Sequence, residues 1–324
     1  MTSEITLLFL NAGRRVELIR SFRTALADLG IQGRIVTTDI NGWAPALYLG
    51  DRTYLTPRSR DSGFLERLCD ICRAEKATLI IPLIDPDLTV LAQNRQAIEA
   101  TGTKVLVSTP QVIATCSDKE RTHDFLKEHG FSTPAVFSFA DAQKQTLPLF
   151  IKPKDGSASL DTHKITSQEE LAFFGRYVND PLIQEYVEGV ETTTDVFSDW
   201  TGKPLLAVPR RRLKVRAGEV IVGRVERDVR LEALCAAVAS SLGTIGPINI
   251  QTITANDRDF IVEINPRFGG GCPLSIAAGA PFARWAIMMA LGQSLPADVP
   301  VLAEGLTSMR FDDSFFYPAE QLLS

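Results

Sequence analysis

Residues 248–271 read INIQTITANDRDFIVEINPRFGGG, and their spacing describes two short strands joined by a polar turn. Side chains alternate faces along a strand, so Asn249 and Gln251 share one side while Ile248 and Ile250 take the other. The second half repeats the pattern, with Glu263, Asn265 and Arg267 on a face opposite Val262 and Ile264. Folding the two as a hairpin about Asp257 sets Gln251 opposite Glu263. One surface then gathers a carboxylate, two or three amide oxygens and a guanidinium. Oxygen ligands with a single negative charge suit a Mg²⁺ (or Mn²⁺) that takes its other ligands from phosphates and water. Arg267 beside them can stabilise charge on a transferring phosphoryl group. A hairpin with one solvated polar face is the plain alternative. It accounts less well for the Phe268-Gly269-Gly270-Gly271 turn that follows, which brings backbone close to something.

Two segments further towards the N-terminus carry related signals. Residues 150–159, FIKPKDGSAS, end a strand with Lys152 ahead of a small-residue loop, a place where a lysine and loop N–H groups can meet a phosphate together. No G-K-[ST] follows, so this is not a Walker A loop, and a strand-ending lysine taken alone can equally reach solvent. Residues 182–191, LIQEYVEGVE, run from a strand into a turn. There Gln184 and backbone near Val187 suit an adenine edge and Glu191 suits ribose hydroxyls; a strand end with exposed acids is an equally good reading of that segment alone.

In order and approximate spacing the three segments resemble the ATP-grasp superfamily, in particular its carbamoyl phosphate synthase large-chain type, over roughly residues 117–313. Residues 1–109 are similar to the Rossmann-like domain that precedes it. The resemblance implies an α/β N-terminal Rossmann-like (pre-ATP-grasp) domain over 1–109 followed by an α+β ATP-grasp fold over 110–324. The latter divides into a nucleotide lid at about 110–185 and a metal-binding part at about 186–313. It implies that Lys119 in Ser117-Asp118-Lys119 and Lys152 are nucleotide lysines. Gln184, the backbone near Tyr186 and Val187, and Glu191 fall on the adenosine stretch, Gln251, Glu263 and Asn265 on the metal ligands, and Arg267 on the residue that assists phosphoryl transfer. The activity it implies is a cytoplasmic, ATP- and Mg-dependent ligase that activates a carboxylate as an acyl phosphate for an amine-type acceptor. A homodimer is the assembly to test. The rival class is an ATP-binding regulatory or partner subunit without turnover of its own. Full large chains carry two tandem copies of this module and here there is one, so the coupled two-step synthesis would need a partner.

The first third fits the same picture. Short apolar runs (5–10, 34–39, 79–83, 104–108) alternate with helical stretches (15–29, 64–73, 88–100), the pattern of βαβ units around a parallel sheet. Asp39 closes the second strand as a ribose-binding acid would, which is the best support for a nicotinamide enzyme. The turn Asn11-Ala12-Gly13-Arg14-Arg15 lacks G-x-G-x-x-G, so a Rossmann-like domain without a dinucleotide is favoured. Over 324 residues, 45% hydrophobic and 23% charged composition excludes disordered and low-complexity classes. The net charge of −5 argues against a non-specific nucleic-acid coat. The short, mostly apolar stretch from Ile5 to Leu10 behind Glu4 makes a first strand and not a signal peptide, and no apolar run is long enough to span a membrane. Five cysteines without framework spacing suit a reducing compartment, with Cys69 and Cys72 on one face of a helix. The basic run Arg210–Lys214, with Arg216 and Arg224, is either a contact for phosphate or carboxylate or a solvated strand pair.

Overall fold

The computed structural model describes residues 4–156, 160–296, 298 and 300–323. Three sheets account for its strands. The first is wholly parallel, built from β1 (Glu4–Leu10), β2 (Gln32–Asp39), β3 (Arg52–Leu55), β4 (Leu79–Pro82) and β5 (Lys104–Val105) in the order β3-β2-β1-β4-β5. β1 and β4 are buried along nearly their whole length, so their apolar runs have no polar face to alternate with. Helices cover both faces: α1 (Val16–Asp28) on one, α2 (Phe64–Glu75) and α3 (Asp85–Gln93) on the other. The single helix expected over 88–100 is broken. At Asn94 (φ −108°, ψ 17°) the side-chain amide donates to the Val90 carbonyl, and a separate turn, α4 (Arg95–Glu99), follows. Cys69 and Cys72 sit inside the α2 face of the core, and burial pushes the Cys72 thiol up to about 11.

After α5 (Pro110–Ser117) and α6 (Lys119–Glu128), whose N-cap Asp118 accepts from the Glu120 and Arg121 amides, the pairing becomes antiparallel. A four-stranded sheet, β6-β9-β7-β8, joins β6 (Val136–Phe137), β7 (Leu149–Pro153), β8 (His163–Ile165) and β9 (Pro181–Glu185), with α7 (Phe139–Ala142) and α8 (Gln168–Tyr177) against it. The third sheet has the order β14-β13-β10-β11-β12-β15. Its strands are β10 (Val190–Ser198), β11 (Pro204–Arg216), β12 (Glu219–Val225), β13 (Gly246–Ala255), β14 (Arg258–Asn265) and β15 (Thr307–Met309). One face of this sheet packs on α9 (Val229–Leu242). The other shares a core with the parallel sheet, α1, α10 (Cys272–Ala277) and α11 (Phe282–Ala290). Phe9, Phe22 and Phe268 form an edge-to-face chain at 5.1 and 5.6 Å, and Phe197 stacks on Phe282 at 5.5 Å. A shared aromatic core of this kind holds the loop ends of the parallel sheet at a fixed distance from the β13–β14 hairpin. Among the described residues no helix is long and apolar enough to cross a membrane.

Candidate functional site

The β13–β14 hairpin turns at Asn256 and Asp257, both with positive φ (49° and 59°), the conformation a tight hairpin turn requires. Asn249 pairs with Asn265, and Gln251 with Glu263, as the alternation predicts. One detail differs. The register slips between Gln251 and Thr252, so Thr252 faces Ile261 and Val262 is the extra residue of a bulge. Ile261 and Ile264 therefore share the apolar core, and Val262 does not oppose Glu263 as read from the sequence. Val262 lies on the cavity side, where its carbonyl accepts from Lys152 Nζ at 3.2 Å. The amides are also sorted. Asn249 Nδ2 donates to the carbonyls of Asn265 and Arg267, and Asn265 Nδ2 donates to Asn249 Oδ1 at 3.3 Å. That leaves Asn265 Oδ1 as the acceptor facing outward, so Asn249 fixes the strand end while Asn265 offers the oxygen.

A cavity of about 310 Å³ lies between the four-stranded and six-stranded sheets, lined by Lys119, Lys152, Gln184, Tyr186, Val187, Glu191, Gln251 and Glu263. Eight of the sequence-selected residues thus meet in one place. Lys119 starts α6 and donates to the Gly156 carbonyl at 2.9 Å, while Lys152 comes from β7 and is buried. Burial lowers both amines; Glu263 holds each up, and Lys119 lowers Lys152 further, to about 8. Asp155, Asp85 and Asp118 also hold Lys119 up, so what the two lysines offer is a pair of desolvated ammonium groups on one wall, a place where a phosphate can be met by both. Gln184 sits mid-sheet between β6 and β7 with its side chain buried. Tyr186 carries Lys164 over its ring at 4.1 Å. Glu191 is partnered by Arg212, Nε to Oε2 at 3.0 Å. Residues 157–159 of the small-residue loop lie outside the described residues.

A second cavity of about 210 Å³ shares Gln251, Glu263 and Arg212 with the first and adds Asn265, Arg267, Asp85 and Arg15. Arg267 is 11% exposed and held by Asp85 through two bonds, Nε to Oδ1 at 2.9 Å and Nη2 to Oδ2 at 2.6 Å, while Nη1 donates to the Phe268 carbonyl. Asp85 begins α3 just past β4, at the switch point of the parallel sheet between the paired strands β1 and β4, where the strand order reverses. It was not singled out from sequence; an acid directly after a parallel strand was the available signal. Arg15, just before α1, was also missed. At the same end of the parallel sheet Asp39 accepts from the amides of Gly13 (2.7 Å) and Asn41 (2.9 Å), and Asn11 donates to Asp87 Oδ2 at 2.7 Å, while Asp87 Oδ1 is buried without a hydrogen-bond partner among the described residues. Asp39 is spent on its own turn, and the nicotinamide reading loses its support.

The glycine turn has a physical cause. A Cβ on Gly269 would stand 3.1 Å from the Asn249 amide, on Gly270 2.4 Å from Arg15 Nη1, and on Gly271 2.3 Å from Arg210 Nη1. The basic run on β11 divides by strand alternation. Arg210 is buried and bidentate to Asp195, which also accepts from Ser275 Oγ at 2.6 Å. Arg212 turns to Glu191, and Arg211, Arg216 and Arg224 form exposed pairs with Glu226 and Asp312. Neither expected alternative describes the whole run.

Among the described residues no cluster of three His, Cys, Asp or Glu side chains is placed to hold a metal. The oxygens of Glu263, Gln251 and Asn265 still fit a hard cation that completes its shell from phosphate and water, because one carboxylate and two amides supply few ligands and little charge.

Residues 7–106 match the family described as PylC-like, N-terminal domain, and residues 116–271 match the ATP-grasp domain family. The carbamoyl phosphate synthase large chain of a Thermoanaerobacter species is 23% identical over 303 residues, 84% of this chain and 27% of that protein. The chain therefore spans about a quarter of that relative's length. The carbamoyl-phosphate synthase of Methanobrevibacter smithii is 23% identical over 255 residues, 72% of this chain and 68% of that protein. The biotin carboxylase domain of Hydrogenobacter thermophilus 2-oxoglutarate carboxylase, in complex with MgADP, ADP and bicarbonate, has TM-score 0.70 at 19% identity, covering 90% of this chain and 70% of that one. The L-amino acid ligase from Bacillus licheniformis has TM-score 0.69 at 19% identity, covering 89% and 74%. At these identities the structural likeness is one of fold.

Proposed function

We propose, from the ATP-grasp domain and the PylC-like N-terminal domain that this chain carries, that it is an ATP- and Mg-dependent ligase joining a carboxylate to an amine-type acceptor through an acyl phosphate. The observation that carries the reading is the shared wall of the two cavities. Gln251 and Glu263 line both, with the desolvated Lys119 and Lys152 on one side and Arg267 on the other. Lys119 and Lys152 would hold the phosphates, Gln184 and the backbone at Tyr186 and Val187 the adenine, and Glu191 the ribose. Gln251, Glu263 and Asn265 would hold Mg²⁺, which when bound neutralises phosphate charge.

A carboxylate is a poor electrophile because its leaving group would be oxide. One of its oxygens attacks the γ-phosphorus, the bond from that phosphorus to the bridging oxygen breaks, and ADP leaves. The amine nitrogen then attacks the acyl carbon, the carbon–oxygen bond to phosphate breaks, the nitrogen gives up a proton, and inorganic phosphate departs with one former carboxylate oxygen. The protein's share is positioning and charge: Arg267, held by Asp85, keeps two N–H donors free for the phosphoryl group in flight. With ¹⁸O-labelled carboxylate, label should appear in released phosphate once an acceptor is present. Label in AMP would mean adenylation, unlabelled phosphate with continued product would exclude the acyl phosphate, and nucleotide binding without stimulated ADP release would mark a sensor or partner subunit.

A further inference from the structure

Beyond the second cavity lies a third, of about 1280 Å³, bounded by α1, α10, the start of α11 and residues 306–315. It shares Arg15, Arg210, Val220, Gly269–Gly271 and Arg310 with the second cavity, so the three share walls in series. Its volume is about that of the largest small-molecule sites, roughly 1,000 Å³. Bicarbonate or a single small amino acid would leave most of it filled with water.

The charge at the junction is unbalanced. Arg15, Arg267 and Arg310 meet there, facing two carboxylates. Asp85 is taken by Arg267, and Glu219 by Arg310 at 2.7 Å. Among the described residues the Arg15 guanidinium forms neither ion pair nor hydrogen bond, although burial and the neighbouring Arg267 pull it down to about 10. Gly270 leaves room for Nη1, which a Cβ there would strike. A desolvated cation without a partner costs stability unless an anion completes it, and one unit of negative charge does so. Past Arg15 the wall is mixed: Leu274, Ile276, Met309 and Phe311 offer apolar surface along α10 and residues 306–311, while Arg20, Arg284, Asp28 and Asp312 carry charge of both signs.

We propose that this third cavity binds a carboxylate-bearing organic molecule of dipeptide size or larger, its carboxylate on Arg15 and its body along α10 and residues 306–311. The proposal rests on the ligase reading for the purpose of the site, but its test does not use turnover. The full chain is titrated, with and without MgADP, with a panel of dipeptides bearing free C-terminal carboxylates, with their C-terminal amides, and with bicarbonate. Dipeptide acids should bind saturably and their amides at least tenfold more weakly. Arg15→Gln should weaken the acids at least tenfold. Ala277→Trp fills the exposed wall of the cavity away from the core, and should abolish dipeptide binding while leaving MgADP affinity unchanged. If Arg15→Gln does not fold, Ala277→Trp and the amides decide. Binding of no dipeptide acid, equal affinity for acids and amides, or unaltered affinity in Ala277→Trp overturns the proposal. Failure of the ligase reading would instead appear as absence of nucleotide-dependent turnover with dipeptide binding intact.

Discussion

Asp85→Asn separates the positioning of Arg267 from its presence. The aspartate accepts both Nε and Nη2 of Arg267, and the pair is 28% and 11% exposed. Asparagine keeps the shape and one acceptor, so one bond to a charged group is lost and an NH₂ is set against a guanidinium. A hydrogen bond to a charged group contributes roughly 1.5–3 kcal/mol when buried, and the partial exposure of Asp85 screens part of this. A loss of about 1–2 kcal/mol in unfolding free energy is expected, read from urea midpoints at unchanged slope. Turnover should fall more steeply. Arg267, released from one side, no longer presents its free donors in a single direction, and a fall of about 10- to 100-fold in kcat with little change in nucleotide affinity is expected. Steady-state ADP release with the true substrate pair, alongside nucleotide titration, measures both. Wild-type kcat together with wild-type stability would refute the assignment of Asp85 as the residue that positions Arg267.

Glu263→Gln should abolish Mg-dependent ATP hydrolysis with the thermal midpoint preserved; unfolding in its place would make Glu263 structural. Lys152 has a folded pKa of about 8, lowered from 10.5 by burial. Its charge on the free protein is lost as pH rises through 8, so the nucleotide dissociation constant should rise above that pH, and Lys152→Ala should remove the bend in the affinity profile. The linked stability runs the other way: between pH 8 and 10.5 the unfolded chain binds more protons, so this group's contribution to apo stability grows with pH. Gly271→Ala drives a Cβ against the Arg210 guanidinium, which is locked to Asp195, and should cost about 1–3 kcal/mol in denaturant unfolding. Gly270→Ala meets only the free end of Arg15 and should cost less.

The period-two alternation of residues 248–267 determined, without any fold, which hairpin face carries Gln251, Glu263 and Asn265, because side-chain direction along a strand is a local property of the backbone. The register slip that turns Val262 towards Lys152 was not legible there, since a bulge depends on what the partner strand offers. Lys119, Lys152 and Gln184 were recoverable through order and spacing within a resemblance; that they converge on Glu263 depends on two sheets closing over one cavity. Asp85 and Arg15 carried no motif. Asp85 lies 182 residues from Arg267 in the chain and gains its role only because a shared aromatic core sets the switch point of the parallel sheet against the end of β14. Strand alternation split the basic residues of β11, with Arg210 and Arg212 on one face and Arg211 on the other, and only the tertiary packing showed that Arg210 is buried and neutralised by Asp195 while Arg211 reaches solvent. Local periodicity follows from bond geometry, whereas ion pairing and desolvation depend on distances that the packed tertiary structure alone establishes.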